Sequence, residues 1–512
     1  MKPSTPEPQP GLSRSSSTSE TIRVEPLRIP DPLAESGAMY HTASHTSGPD
    51  AFEPDRIPSR SVDHDKYHEA GDEVYEKLSS RRKAIVVTIL SFCAFLSPIS
   101  STSVLAATPE VAAEYGTTGS IINISNAAYM ALMGISPIVW GPMSQVFGRR
   151  PITLLTAVLF FLLSLGTAVA PNLAVFFLFR ALSAFEGTAF ILIGAACIGD
   201  IYRPTERGTA IGWFMSGTLI GPAFGPFLGG IIVTYSSWRS IFWLQTALAG
   251  AAAVGVFFLV PETIHHKKID DLATKTRGDR TRAILHMINP IRPLRLFRYL
   301  NLVLVGLASS SLVWNMYSLL TPIRYVLNPR FNLETPLLSG LFYLAPGCGY
   351  LTGTFMGGRW ADRTVKAWIM KRGRRLPEDR LRSALPFLGL VIPGSMLVYG
   401  WSIEKAAGGI PVPVIAMFLQ GVAQLFCFPS LNTYCLDVMP GQGAEVTAAN
   451  FFVRYLFGGV GTAVVLPAVK GIGIGWFCTI TALFVMASAG GMYAAIIWGE
   501  AWRLKMDRKT QK

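Results

Sequence analysis

Two arginines and one acid lie inside stretches of this chain that are otherwise apolar. Arg180 stands in LFRALSAFEG, Arg454 in NFFVRYLFGG, and Glu186 follows Arg180 by six residues. A charge at the centre of a hydrocarbon layer costs about 2.5–3.5 kcal/mol on insertion scales, so each such residue calls for a functional account. A guanidinium presents a rigid donor fork that matches a carboxylate, and two of them can hold a dicarboxylate between them. The competing role for each is a fixed bond to a helix carbonyl or a neighbouring acid. Six helical residues separate Arg180 and Glu186 by about 120° around the axis, so they are not an i,i+4 pair. A carboxyl buried without a cation is favoured in its protonated form, the property a proton carrier needs. A hydrogen bond to a neighbouring helix is the structural alternative for Glu186.

Polar and aromatic residues recur at similar depth: Asn123 and Asn126, then Trp314, Asn315 and Tyr317, then Gln420 and Gln424, then Asn450. Gln420 and Gln424 share one helix face. We take Arg180, Arg454, Asn315, Tyr317, Gln420, Gln424 and Asn450 as candidate substrate ligands, with interhelical hydrogen bonding as their competing role. The sequon at Asn123 falls at a membrane boundary and is not expected to be glycosylated. No GxxxxGK[ST] loop, HExxH or GxSxG is present, which excludes an ATP-driven pump and the common hydrolases. The six cysteines lack metal-ligand spacing and read as packing thiols, so no cofactor or metal is expected.

The elements that position these residues are membrane helices. Half of the residues are hydrophobic, 15% are charged, and the mean hydropathy is +0.38, which describes a lipid-solvated chain. A bilayer core needs about 20 mostly apolar residues per helix. Such segments begin near Ala84, Ile121, Ile152, Ala174, Thr209 and Ile241, and again near Leu300, Leu337, Ala384, Ile410, Val446 and Gly473. The expected organisation is a disordered cytosolic tail over 1–80, a six-helix half over 81–262, a linker over 263–298, a second six-helix half over 299–500, and a short tail over 501–512.

The net charge of +13 is gathered in short clusters between apolar stretches. We read them as orientation signals and not as a nucleic-acid surface. Arg81 to Lys83, Arg149 and Arg150, Arg203 and Arg207, nine Lys or Arg in the middle loop, and the run WADRTVKAWIMKRGRRLPEDRLR fall on one side. Isolated Arg239, Arg324, Arg330, Lys405 and Lys470 fall on the other. Both termini are therefore expected in the cytoplasm. Asp437 and Glu445 break the positive pattern without an evident reason.

Two loops repeat a pattern. GPMSQVFGRR starts at Gly141 and GRWADRTVK at Gly358, with Gln145 and Asp362 each four residues on, as parallel repeats predict. The fifth segment carries Gly217, Gly221, Gly225 and Gly229, four residues apart, with Pro222 and Pro226. Such a stripe lets another backbone approach, because helix association in lipid depends on packing. The prolines remove backbone donors and should face protein or a cavity.

These motifs resemble a known family. The glycine–proline run resembles the antiporter signature of the major facilitator superfamily, GPMSQVFGRR its helix 2–3 loop, and LFRALSAFEG its helix 4 signature, over about residues 84–500. The resemblance implies an all-α membrane fold with twelve transmembrane helices in two pseudo-symmetric halves. It also implies conformational roles for Gly141, Gly148, Arg149, Gly217, Gly221, Pro222, Gly225, Asp362 and Arg363. The family's loop acid is replaced by Gln145, so a charge latch lacks its acid in the N-terminal half, while Asp362 retains it in the other.

Longer strings, INISNAAYMALMGISPIVWGPM, RGTAIGWFMSGTLIGPAFGP, SWRSIFWLQ, SGLFYLAPGCGYLTG and DRTVKAWIMKRGRRLPEDRL, resemble the fungal itaconate exporters, a branch near the fungal drug:proton antiporters. That implies a monomeric secondary exporter of a small organic acid such as itaconate, working by alternating access in the plasma membrane, with proton coupling assigned to Glu186. Efflux of drugs or other secondary metabolites is the alternative.

Overall fold

The computed structural model describes residues 78–203, 207–265, 267–270, 277–287, 289, 291–333, 335–439 and 443–510. All of them lie in one compact unit, Glu69–Lys512. The expected N-terminal tail falls outside them, apart from residues 78–80.

The described chain is helical almost throughout. The long helices are α1 Ser80–Ser103, α2 Gly119–Phe147, α3 Arg149–Ala168, α4 Leu173–Ile201, α5 Arg207–Tyr235, α6 Arg239–Leu259, α7 Leu300–Leu320, α8 Leu344–Arg372, α9 Ile392–Lys405, α10 Pro411–Val438, α11 Gly443–Ile472 and α12 Ile474–Thr510. Short turns extend α1 to Glu114, and Pro336–Phe342 leads into α8. A π-helical stretch, Phe387–Val391, joins Asp379–Pro386 to α9 between Pro386 and Pro393, residues that cannot donate a backbone hydrogen bond. The expected C-terminal tail is a continuation of α12, which runs on to Thr510.

Among the described residues, eleven helices are long and apolar enough to cross a membrane. The twelfth long helix, α8, falls short of that apolarity because it is rich in glycine and carries Arg359, Asp362, Arg363 and Lys366. Its glycines are used in packing: Gly349, Gly353 and Gly357 face the α10 backbone, where a Cβ would lie 2.3 Å from Phe418 O, 2.6 Å from Val422 O and 2.7 Å from Leu425 O. Close backbone approach replaces side-chain bulk here, as expected for helices in lipid.

Packing repeats between the halves. α1 lies on α5, α2 on α4 and α3 on α6; α7 lies on α11, α8 on α10 and α9 on α12. Each half has two buried apolar clusters. One N-terminal cluster gathers Leu90, Phe160, Phe190 and Phe214, the other Phe176, Trp238 and Phe242. The C-terminal half has one around Leu312, Leu388 and Leu431 and one around Ile323, Met396 and Met417.

Two kinds of residue fix the turns. Gly148 has φ 107°, and a Cβ there would meet Glu262 Oε2 at 2.2 Å, so only glycine fits between α2 and α3. Glu262 in turn accepts from the backbone N–H of Arg149 at 2.8 Å, an anion at a helix N-terminus.

Candidate functional site

The halves meet where α2 packs on α11 and α5 on α8. The backbones come close: a Cβ on Gly134 would lie 3.2 Å from Phe452 O, and one on Gly459 would lie 3.0 Å from Ala127 O. Tyr129, Met130, Met133 and Ala184 pack there with Val313 and Tyr317, and Tyr455 and Phe428 pack against them. Ser101 Oγ and the Tyr317 hydroxyl share a 2.7 Å hydrogen bond across the two halves.

Asn172 caps α4 by accepting from the Val175 N–H, and Arg180 follows two turns later. It is 1% exposed. Nη2 donates to Asn126 Oδ1 at 2.5 Å and to the Ser101 carbonyl at 3.3 Å. The guanidinium lies 5.1 Å from the centre of the Tyr129 ring and 5.9 Å from that of Phe242. Nε and Nη1 have no hydrogen-bond partner among the described residues, and no carboxylate pairs with the group. Asn126 donates onward to Asn123, which is itself buried.

Arg454 is buried in the other half. Its Nη2 donates to Asn432 Oδ1 at 2.5 Å, and its guanidinium lies near the Phe428 and Phe451 rings. Asn450 donates to the same Asn432 oxygen at 3.4 Å. Arg454 Nε has no partner, and no carboxylate pairs with this guanidinium among the described residues. The sequence reading passed over Asn432, an amide eight residues after Gln424 in α10. The two arginines are held within their own halves and at different depths. Arg180 comes seven residues after the start of α4 at one end of the bundle, Arg454 eleven residues after the start of α11 at the other.

The remaining candidates divide. Tyr317 belongs to the centre through Ser101. Gln420 donates to Gln424, and Gln424 to the Leu312 carbonyl of α7, so this pair joins α10 to α7 inside the C-terminal half. Asn315 is completely buried, with neither amide atom partnered among the described residues. Trp314 turns away, donating to Thr481 on α12. Glu186 is 6% exposed, and its Oε2 is buried without a partner; Arg180 does not reach it.

The glycine stripe of α5 lies along α1. A Cβ on Gly217 would stand 2.3 Å from Ser91 O, on Gly221 2.6 Å from Pro98 Cβ, on Gly225 2.5 Å from Thr102 Oγ1, and on Gly229 2.5 Å from Ser103 O. Thus the stripe sets the position of the same α1 segment that presents Ser101.

At the basic end, Arg149 pairs with Asp200 at the end of α4, 3.1 Å away, and donates to Ser144. Gln145 accepts from Lys268 Nζ at 2.7 Å and so ties α2 to the linker. Asp200 was missed in the sequence, although an acid beside Arg149 and Arg150 could have been sought as their counter-ion. The other half repeats the arrangement: Arg380 pairs with Asp437 at the end of α10 at 2.9 Å, and Arg375 at 3.5 Å. Asp437 thereby has its physical account as the partner of two loop arginines. Asp362 and Arg363 are exposed, and neither has an ion pair among the described residues.

At the opposite end the halves are joined by charge. Arg324, just beyond α7, pairs with Glu110 from the α1 extension and donates to Ser339 Oγ at 3.2 Å. Nearby, the Leu337 N–H donates to Thr234 Oγ1 of α5 at 3.0 Å.

A buried site between two similar six-helix halves, reached by side chains from both, is the arrangement of an alternating-access protein. The chain is 25% identical to citrate exporter 1 of Aspergillus niger over 97% of its own length and 99% of that protein's. It is 23% identical to the MFS antiporter QDR3 of Candida albicans, covering 80% and 76%. Among solved structures, the human organic anion transporter MFSD10 superposes with a TM-score of 0.60 at 17% identity, over 80% of this chain and 99% of that one. A model of the Major Facilitator Superfamily matches residues 90–462. That match spans both halves of the bundle, and the chain belongs to the Major Facilitator Superfamily: it is a multi-pass membrane transporter and not an enzyme.

Proposed function

We propose that this transporter exports a small organic acid, itaconate or a related dicarboxylate. The observation that carries this reading is Arg180: a fully buried guanidinium with, among the described residues, no paired carboxylate and two donor nitrogens without partners. A buried cation is costly unless a counter-charge approaches it, and a carboxylate offers the charge and the planar geometry together. The likeness to a citrate exporter supports an acid. A dicarboxylate coming from the basic end meets Arg454 first and Arg180 deeper in, so the two arginines act in succession. Tyr317, Asn315 and Asn450 complete the path, with Gln420 and Gln424 shaping it through α7. The distribution of Lys and Arg supports a cytoplasmic basic end and with it cytoplasmic termini; we take the protein to act as a monomer in the plasma membrane. Glu186 carries the coupled proton. A second reading, efflux of drugs or secondary metabolites, is favoured by the aromatic rings of Tyr129, Phe428 and Tyr455 at the centre and by the likeness to QDR3. The two readings separate in inside-out vesicles: itaconate enters for the first, and a neutral drug but no itaconate for the second.

In this reading the Arg324–Glu110 pair closes the non-cytoplasmic end, and neutralising it frees that end to open. With Cys348 changed to Ser and Ser101 changed to Cys, Glu110→Gln raises labelling from the non-cytoplasmic side by an impermeant thiol reagent several-fold. The charge-swapped double variant of Glu110 and Arg324 returns it towards the parent rate. Equal labelling of the parent and Glu110→Gln rules out the pair as a closure.

A further inference from the structure

The basic run that ends α8 is helical as far as Arg372, and one of its faces has no partner among the described residues. Along α8, Gly349, Gly353 and Gly357 face α10, and Tyr350 and Ala361 are buried on adjoining sides. The opposite side presents Leu351 and Phe355, with Phe355 72% exposed. These apolar side chains are exposed at the depth of a membrane-spanning helix. Continuing at helical spacing the same side presents Arg359, Arg363, Lys366 and then Met370, all exposed. Arg359, Arg363 and Lys366 have no hydrogen bond or ion pair among the described residues. Nearby cations differ: Arg372 is paired with Asp379, Arg374 with Glu500 and Arg375 with Asp437.

At 1.5 Å per residue, Arg359 and Arg363 stand about 6 and 12 Å beyond Phe355 along the axis, the step from tails into headgroups. Trp360 fixes the rotation of the helix there, its indole N–H donating to the Ser383 carbonyl at 3.1 Å. We propose that this stripe is a binding surface for anionic phospholipid headgroups of the leaflet at the basic end. The charge is complementary, and the exposed apolar face beneath it suits the tails of the same lipids. Basic residues beside a membrane helix are worth about 1 kcal/mol each towards anionic lipid, which is roughly 5-fold in affinity per charge. Asp362 on the same face keeps the stripe from being uniformly positive and offers a hydrogen-bond acceptor for an amine-bearing headgroup.

The test uses the full-length transporter in detergent with added phosphatidylserine or phosphatidylcholine, followed by native mass spectrometry of bound lipid. The parent retains phosphatidylserine over phosphatidylcholine. The double variant Arg359→Gln with Lys366→Gln loses roughly 30-fold in phosphatidylserine affinity, whereas Lys470→Gln at the other end changes nothing. Both altered side chains are exposed and unpaired, so the fold survives, and an unchanged gel-filtration profile verifies it. Equal retention of both lipids by the parent, or unchanged phosphatidylserine binding by the double variant, overturns the proposal and leaves the stripe to a soluble acidic partner.

Discussion

Replacing Gly221 by leucine reduces transport to background while the protein still reaches the membrane in normal amount. The Cβ alone would stand 2.6 Å from Pro98 Cβ and 3.1 Å from the Ile99 nitrogen of α1, so α5 and α1 must separate. Overpacking of this kind costs about 1–3 kcal/mol, a large fraction of a conformational equilibrium that has to remain reversible. The displaced stretch of α1 leads to Ser101, whose carbonyl accepts from Arg180 and whose hydroxyl meets Tyr317, so the strain passes directly into the site. Gly221→Ala, with only the Cβ, falls between. Gly212, on the same helix with nothing within 4 Å of an added Cβ, accepts alanine with near-normal flux. The variants are compared by flux per transporter at the membrane. Parental flux in Gly221→Leu removes the α1–α5 contact from the mechanism.

Arg180→Ala abolishes itaconate export and leaves the efflux of a neutral compound measurable. Truncating one partner of a buried, hydrogen-bonded charge interaction costs about 2–5 kcal/mol, or at least roughly 30-fold in affinity for the acid. Arg180→Lys keeps the charge and loses the fork, so its export is intermediate. Arg454→Ala impairs export as well, with Lys again milder, because an anion leaving the basic end then meets no cation on its way to Arg180. Measured as initial rates over a range of substrate concentrations, the two arginine series share a rank order, parent above Lys above Ala. Normal itaconate export by Arg180→Ala removes the main physical ground for an acid substrate.

Much of the fold was legible because lipid imposes simple rules. Long apolar segments marked the helices, and four-residue glycine spacing in α5 marked a close backbone contact. The same spacing at Gly349, Gly353 and Gly357 in α8 went unread, since the adjacent charges drew attention to the loop. Arg180, Arg454 and Glu186 were visible as charges in apolar surroundings, a local property. Their partners were not visible. Asn432 and Ser101 supply contacts that depend on which helix faces which, and the Arg324–Glu110 pair joins residues 214 positions apart. Pairings at such separation follow from the assembled bundle, and a single sequence carries no trace of them. For the same reason Gln420 and Gln424 looked like ligands although they bond to each other and to α7.

The central claim is that this protein moves a small organic acid using an ion gradient. Its most direct test is the uptake of labelled itaconate by proteoliposomes containing the purified transporter, under imposed pH or voltage gradients and without ATP. The account predicts accumulation that follows the gradient, is unaffected by ATP and loses its pH-gradient dependence in Glu186→Gln. Flux that requires ATP and ignores both gradients, or transport of a neutral drug with none of itaconate, contradicts it.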